Sequence, residues 1–374
     1  MTKDTNKRSS RRHMLALSAA ATLGACSSDN AGGQQGAGAP VKKRTLRMVT
    51  TWPKSLPGLG TGAQRLADRI TLLSNGSLDV RVYAAGDLVG AFDAFDAVSS
   101  GKADMYHGGE YYWQGKSKAY NFFASVPFGM TADEMAAWIH FQGGQELWDE
   151  LSGKFNIKPF AAGNTGTQMG GWFKREINSL DDLKGLRIRM PGLGGEILRR
   201  LGAEPVTKSA KELYLALSQG NIDATEWIGP WNDLTLGLHT AAPYYYGPGF
   251  HEPGSTLALG INLDVYTSLS DHQRAVIEQS CHVERHLMHA EYEAKNAQAL
   301  EVLKTEHGII PRTFPDDVMK AAQEQAAIVM AEVAKSDDIT RRVVESFQAA
   351  LAKARGWETV AHGAFAKARA QALG

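Results

Sequence analysis

From Asp271 to His307 the chain runs without a proline or a glycine, and Ser270 with Gln273 three residues on forms a capping box at the head of that run. Gly308 stops it. A helix over the whole stretch extends about 55 Å at 1.5 Å per residue, whereas the mean helix of a globular protein has about 11 residues. It is an unusually long element for one globular lobe. The roughly 330 residues from about residue 44 onward also exceed what one hydrophobic core usually serves, which points to two lobes.

The remaining pattern alternates strand and helix. Leu46 to Trp52 carries strand-favouring residues and stops before Pro53, and Ala63 to Leu73 places Leu66, Ile70 and Leu73 on one helical face. Leu78, Val80 and Val82 alternate with Asp79, Arg81 and Tyr83, which predicts a second strand, and Ala91 to Ser99 predicts a second helix closing at Gly101. Further on, Leu186 to Met190 reads as a strand, and Glu196 to Leu201 and Lys211 to Ser218 read as helices ended by Gly202 and Gly220. This alternation predicts an α/β fold with a parallel sheet flanked by helices. After the long helix two more are expected, Pro315 to about Lys335 and, capped by Ser336, Asp338 to about Arg355.

At the N-terminus Lys3, Lys7, Arg8, Arg11 and Arg12 precede the small-residue apolar run Met14 to Ala25, so residues 1–25 read as an export signal. Ser10-Arg11-Arg12 followed by His13-Met14-Leu15 has the form of a twin-arginine signal. The run is far shorter than the roughly 20 apolar residues a membrane-spanning helix needs, and no other window qualifies. Leu23-Gly24-Ala25-Cys26 fits a lipobox, which predicts acylation of Cys26, and residues 26–43 read as a flexible tether. Cys281 is the other cysteine, so an acylated Cys26 leaves no disulfide. The whole chain balances 40 Lys and Arg against 40 Asp and Glu; without the five basic residues and Asp4 of the signal the balance is 35 against 39. Nothing in it makes the basic face that nucleic acid requires.

No dinucleotide fingerprint, P-loop, H-E-x-x-H, G-x-S-x-G or paired-cysteine spacing is present. Gly58-Leu-Gly-Thr-Gly lies between a strand and a helix, but five residues, two of them proline, separate it from the strand, too long a gap for a cofactor turn. His282, His286 and His289 fall on one face of the long helix at metal-ligand spacing. The carboxylates and Arg285 interleaved with them fit a solvated face better.

Three charges stand out by their surroundings. Glu226 sits in the apolar, Gly- and Pro-bounded stretch Gly220 to Pro230, where an unpaired carboxylate is expensive to bury, so it calls for a cationic partner. Glu252 lies in the aromatic, Pro- and Gly-rich loop Pro243 to Gly254, and the two carboxylates can share one cation. Arg189 is the last charge of a strand that ends at Met190-Pro191-Gly192, which carries its guanidinium toward the carboxyl ends of the sheet, where open α/β sheets place ligands. Its planar fork suits a carboxylate.

Taken together, Leu46 to Trp52, Asp96 to Met105, Trp172 to Ile177, Leu183 to Arg189 and Ile222 to Pro230 resemble the DctP family, the periplasmic solute-binding subunits of tripartite ATP-independent periplasmic (TRAP) transporters. The similarity runs from about Thr45 to the C-terminal helices. The Ile222 to Pro230 motif and the three tyrosines 244–246 are most similar to the branch that binds 2-oxo acids through a cation. The resemblance implies that Glu226, the backbone carbonyl of Trp227, Glu252 and Gln168 hold a metal cation, Ca²⁺ or Na⁺. It implies that Arg189 takes the ligand carboxylate, with Gln168 touching both metal and ligand. Trp52, Tyr111, Tyr112 and Trp113 are candidates for the apolar wall around a short ligand tail. His251, where the branch usually has a large aromatic, is expected to alter the preference for that tail.

The fold so implied is type II periplasmic-binding-protein-like, two lobes closing by a hinge, with the long helix spanning both. Residues 44–163 plus about 255–310 form lobe I, 164–254 lobe II, and 311–374 C-terminal helices that pack on the lobes or on a partner subunit. The implied partners are a small carboxylate, the membrane permease subunits and, through a swapped C-terminal helix, a second copy of the chain. The competing expectation is a metal-dependent enzyme acting on a small keto acid, for which no general base is evident.

Overall fold

The structure is a computed structural model that describes residues 43–373; the export signal, Cys26 and the tether up to residue 42 lie outside the described residues. Eleven strands occur among them: β1 (Arg44–Thr50), β2 (Leu78–Tyr83), β3 (Met105–Gly108), β4 (Ile157–Asn164), β5 (Gly171–Phe173), β6 (Arg187–Arg189), β7 (Glu204–Val206), β8 (Ala224–Thr225), β9 (Tyr244–Gly247), β10 (Thr256–Asn262) and β11 (Pro311–Thr313). They form two sheets, one ordered β2-β1-β3-β10-β4 and the other β11-β9-β5-β8-β6-β7.

Both sheets are mixed, which corrects the expectation of a parallel one. β1 runs parallel to β2 and β3, and β6 parallel to β7 and β8, as the strand-helix alternation requires. β10 is antiparallel to β3 and β4, and β5 is antiparallel to β8 and β9. The cause is connectivity. β5 follows β4, and β10 follows β9, through short loops that pass from one sheet to the other, with no crossover helix to turn the chain back.

The long helix spans Asp271–Thr305, and its head is the expected box: Ser270 Oγ accepts the Gln273 amide at 3.2 Å and Gln273 Oε1 accepts the Ser270 amide at 3.1 Å. It ends two residues before His307. It packs on β4 and on the helix Leu59–Leu73 beside the first sheet, and on the short helix Pro230–Thr235 beside the second. That packing explains Gly58 and Gly62, whereas Gly60 is required by the Pro53 and Lys54 backbone. The helix Leu59–Leu73 begins inside this glycine run, earlier than Ala63, and a Cβ on Gly62 would collide with the Met288 side chain of the long helix. The two helices are further tied by Glu284, wholly buried and bridged by Arg65 at 2.7 Å and Arg69 at 2.9 Å.

The segment after residue 310 opens as a strand, since β11 pairs with β9 at the edge of the second sheet, before any C-terminal helix begins. Helices Asp316–Val333, Asp338–Val360 and His362–Leu373 follow. The second of these is capped by Asp337, whose Oδ1 accepts the Thr340 amide at 2.8 Å, and not by Ser336. Phe347 anchors it against the rings of Phe122 and Trp138, each 5.3 Å away, beside the first sheet. The last helix buries no residue.

Candidate functional site

Three loops meet where the chain passes between the sheets. Asn164 at the end of β4 accepts the Gly166 amide on its Oδ1 at 2.8 Å and so turns the chain into the loop 165–170. That loop is stapled by its backbone to the other two. The Gln168 amide donates to Glu252 O at 3.0 Å, the Gly249 amide donates to Gln168 O at 2.7 Å, and the Met169 amide donates to Ile228 O at 2.8 Å. Gly249 has to be glycine for this contact: a Cβ there would lie 2.6 Å from Gln168 O. The result is that Gln168, Glu226 to Ile228 and Glu252, far apart in sequence, share one wall.

β6 and β8 supply the charged floor. Their parallel register sets Arg189 beside Thr225, one residue before Glu226, at the carboxyl ends of both strands. The Arg189 guanidinium hydrogen-bonds Glu226 Oε1 and also donates to Lys208 O at 3.2 Å and to the Tyr112 hydroxyl at 3.3 Å. It lies over the Trp227 ring, 4.8 Å from the centroid. Burial alone would lower its pKa. The Glu226 carboxylate, with smaller contributions from Tyr112, Tyr111 and Glu252, more than reverses this and leaves it raised, so the charge is fixed.

The acids are arranged to converge. Glu226, His251 and Glu252 are all buried, and each offers a ligand atom within 4.8 Å of the others, the one such trio found among the described residues. Gln168 Nε2 donates to Glu252 Oε2 at 2.8 Å and to Thr165 Oγ1 at 3.0 Å. Burial first, and the Glu226 charge second, push the Glu252 carboxyl up to about 7, against the pull of His251 and Arg189. Glu226 Oε2, Gln168 Oε1 and both ring nitrogens of His251 are buried with no hydrogen-bond partner. Orphaned buried acceptors carry a cost of about 1–3 kcal/mol each, and oxygen acceptors gathered at one point are the donor set a hard cation requires. The residues therefore fit a metal ion.

Above this floor lies a tight cavity of about 10 Å³, room for about one water molecule, lined by Trp52, Tyr111, Tyr112, Thr165, Gln168, Arg189 and Trp227, with Leu59, Ile228, Ser255 and Leu257 completing it. Ligand pockets usually begin near 300 Å³, so the site is closed and has to open before an organic molecule can enter. Trp52 is held by its indole N–H, which donates to His107 Nδ1 at 2.9 Å. Trp113 is not among the lining residues. It lies in the core with its ring 4.7 Å from that of Tyr106 and its indole N–H on Phe92 O at 2.9 Å.

The sequence reading brought Gln168, Arg189, Glu226, Trp227 and Glu252 to one place and missed the supports behind them. Asp233, buried, accepts from Trp172 Nε1 at 3.0 Å and from the Tyr245 hydroxyl at 2.8 Å, and so braces the turn that follows Ile228. His107 braces Trp52. Neither carries a local signal, because a buried acid or histidine is identified only by what folds around it. The histidines 282, 286 and 289 do not gather: the first faces His140, with ring centroids 4.7 Å apart, and His286 is exposed.

Residues 48–337 match the family model described as bacterial extracellular solute-binding protein, family 7, DctP. The chain is 39% identical over 356 residues, 94% of this chain and 96% of the relative, to a monocarboxylate 2-oxoacid-binding periplasmic protein of Nostoc sp.. Among solved structures it resembles a TRAP transporter solute binding protein from Bordetella bronchiseptica, described as a mixed occupancy dimer with copurified calcium and picolinate; the TM-score is 0.86 and identity 34%, over 88% of this chain and 98% of that one. A TRAP periplasmic solute binding protein from Pseudoalteromonas atlantica with bound sodium and pyruvate gives a TM-score of 0.85 at 38% identity, over 87% of this chain and 99% of that one. Two sheets bridged by one long helix, a small charged cavity where the chain passes between them, and a family match over most of the chain agree: the chain belongs to the DctP family of bacterial extracellular solute-binding proteins.

Proposed function

We propose that this protein is the extracytoplasmic solute-binding subunit of a TRAP transporter, that it takes a small 2-oxo or 2-hydroxy monocarboxylate into the cavity beside Arg189, and that it hands this ligand to membrane permease subunits. One observation carries the reading: a buried guanidinium and a buried acidic cage with orphaned oxygens lie side by side on the same cavity floor. The family is one of binding proteins and not of enzymes, and the relatives' calcium with picolinate and sodium with pyruvate give the ligand class.

Glu226, Glu252, Gln168 Oε1 and the Trp227 carbonyl would hold the cation, which when bound supplies positive charge for the two oxygens of a 2-oxo or 2-hydroxy acid to chelate. Arg189 receives the ligand carboxylate on its fork. Trp52, Tyr111 and Tyr112 close over the short tail and exclude water, which strengthens every charge interaction inside. Two glutamates and one ligand carboxylate set against Arg189 leave a formal charge of −2, so a divalent ion such as Ca²⁺ balances the site and Na⁺ half-balances it. Hinge closure of lobes 44–163 with 255–310 and 164–254 accounts for how a ligand reaches groups this deeply buried. Export by the signal 1–25, acylation of Cys26, the tether, and pairing through the exposed C-terminal helices complete the proposal.

A thermal-shift screen tests it. Pyruvate, lactate and longer 2-oxo acids, each with EDTA, Na⁺ or Ca²⁺, should raise the melting temperature only when a cation is present, and at 100 times the dissociation constant the gain corresponds to about 2.7 kcal/mol. Equal shifts from dicarboxylates in EDTA contradict the assignment.

A further inference from the structure

His251 is the one member of the cage whose chemistry differs from the rest. Its side chain is 1% exposed, its Nε2 stands 3.5 Å from Glu226 Oε2, beyond hydrogen-bond geometry, and neither ring nitrogen has a partner. A buried imidazole normally satisfies at least one nitrogen. Packing does not explain the placement either, because the atom aimed at the acids is a polar nitrogen among carboxylate oxygens. The three ligand atoms of Glu226, His251 and Glu252 lie within 4.8 Å of one another. Two atoms bound to one ion by bonds of roughly 2.0–2.4 Å can be at most about 4.8 Å apart, so the spacing is that of groups able to share a single cation.

We infer that His251 is itself a metal ligand in this protein, giving the cage a mixed nitrogen and oxygen donor set that favours a borderline divalent cation, of the Mn²⁺ to Zn²⁺ class, over Ca²⁺ or Na⁺. The inference rests on the cage proposed above and refines which ion it takes. Imidazole is a ligand for first-row transition ions, whereas all-oxygen cages suit Ca²⁺. Glu226 Oε2 and Gln168 Oε1, both orphaned, are the buried oxygens left to complete the set. A nitrogen in this place also reduces the space beside Glu252 for the seven or eight oxygen ligands that Ca²⁺ often gathers.

The test uses the purified protein stripped with a chelator and loaded with Mn²⁺ or Cu²⁺ alone, with no organic ligand. Electron spin-echo modulation from a directly bound imidazole nitrogen is expected in the parent and absent in His251→Asn and His251→Gln. Calorimetry should show each variant losing at least about tenfold in Mn²⁺ or Zn²⁺ affinity, the scale seen when a metal site loses even an outer partner, with Ca²⁺ affinity changed less than threefold. Unchanged thermal melting of the metal-free variants separates a lost ligand from a lost fold, and the two substitutions guard against one that packs badly. A cation held through Glu226 but with no nitrogen modulation, or an unchanged Mn²⁺ to Ca²⁺ affinity ratio in both variants, overturns this inference alone. If the protein binds no cation, or Glu226→Gln binds one undiminished, the cage itself is wrong and both readings fall.

Discussion

Arg189 and Glu226 form a fully buried ion pair at the carboxyl ends of two neighbouring parallel strands, with side-chain exposures of 1% and 0%. Each is also a member of the proposed binding site, so the two groups satisfy in each other what a cation and an acid would satisfy on binding. A cation that draws Glu226 away frees the guanidinium for a carboxylate.

Binding of the two is therefore coupled. Saturating pyruvate should raise Ca²⁺ affinity by at least about fivefold, and by reciprocity Ca²⁺ should raise pyruvate affinity by the same factor, because coupling free energies are symmetric. Isothermal titration in both orders measures this; equal affinities with and without the co-ligand refute the shared role of Glu226.

The same pair has a signature in the ligand-free protein. Arg189→Met or Glu226→Gln alone leaves one buried group without its partner and should cost about 3–5 kcal/mol, whereas the double variant should recover much of that loss, since removing both charges is far cheaper than breaking the pair. Chemical denaturation of the four proteins gives the interaction energy, and simple additivity would show the pair to be energetically idle.

The proximity of the Gln168 and Glu252 loops depends on Gly249. Adding one methyl group in Gly249→Ala places a Cβ 2.6 Å from Gln168 O, so the loops must separate, at about 1–3 kcal/mol for an overpacked site. Cation affinity should fall with stability. A variant that melts lower yet binds the cation as the parent does shows that the two loops are not parts of one cage.

How much of this was readable from the sequence follows from how local each signal is. The box at Ser270 and Gln273 needs only four residues, and the helix duly starts there. The helix expected to end at about Arg355 meets Gly356 there, but an exposed mid-helix glycine costs only about 1 kcal/mol. The helix runs through it to Val360, and His362–Leu373 follows unforeseen. Asp337 and Ser336 are equally good caps on paper; backbone geometry alone chooses. The antiparallel course of β10 depends on the chain passing between sheets, which no window of sequence contains. Glu226 and Glu252 stood out because each sits in an apolar, Gly- and Pro-rich stretch with few other charges, and Arg189 because its strand ends at Met190-Pro191-Gly192. Trp113 was grouped with Tyr111 and Tyr112, yet Glu110–Trp113 is a 3₁₀ turn in which each residue advances about 120°, so neighbours face different ways.

His107 gives a prediction in pH. Burial pushes its pKa down to about 4 from 6.5, with the hydrogen bond to Ala162 O opposing, so it stays neutral while accepting the Trp52 indole. The unfolded chain binds a proton between pH 6.5 and 4 that the folded one does not, so the contribution is full above pH 6.5 and is lost as pH falls to 4, by up to about 3 kcal/mol. His107→Gln, which cannot titrate, should show a correspondingly flatter stability profile over that window. Parallel profiles for parent and variant indicate that His107 is protonated normally and does not brace Trp52 in its neutral form.

The most direct test is a crystal structure of the mature protein with Ca²⁺ and pyruvate. The Arg189 fork should lie on the ligand carboxylate, and Glu226 and Glu252 should lie on an ion that also touches the 2-oxo oxygen, inside the cavity under Trp52 and Tyr112. A ligand bound elsewhere, with the Arg189–Glu226 pair intact and no ion between the two glutamates, would contradict the account.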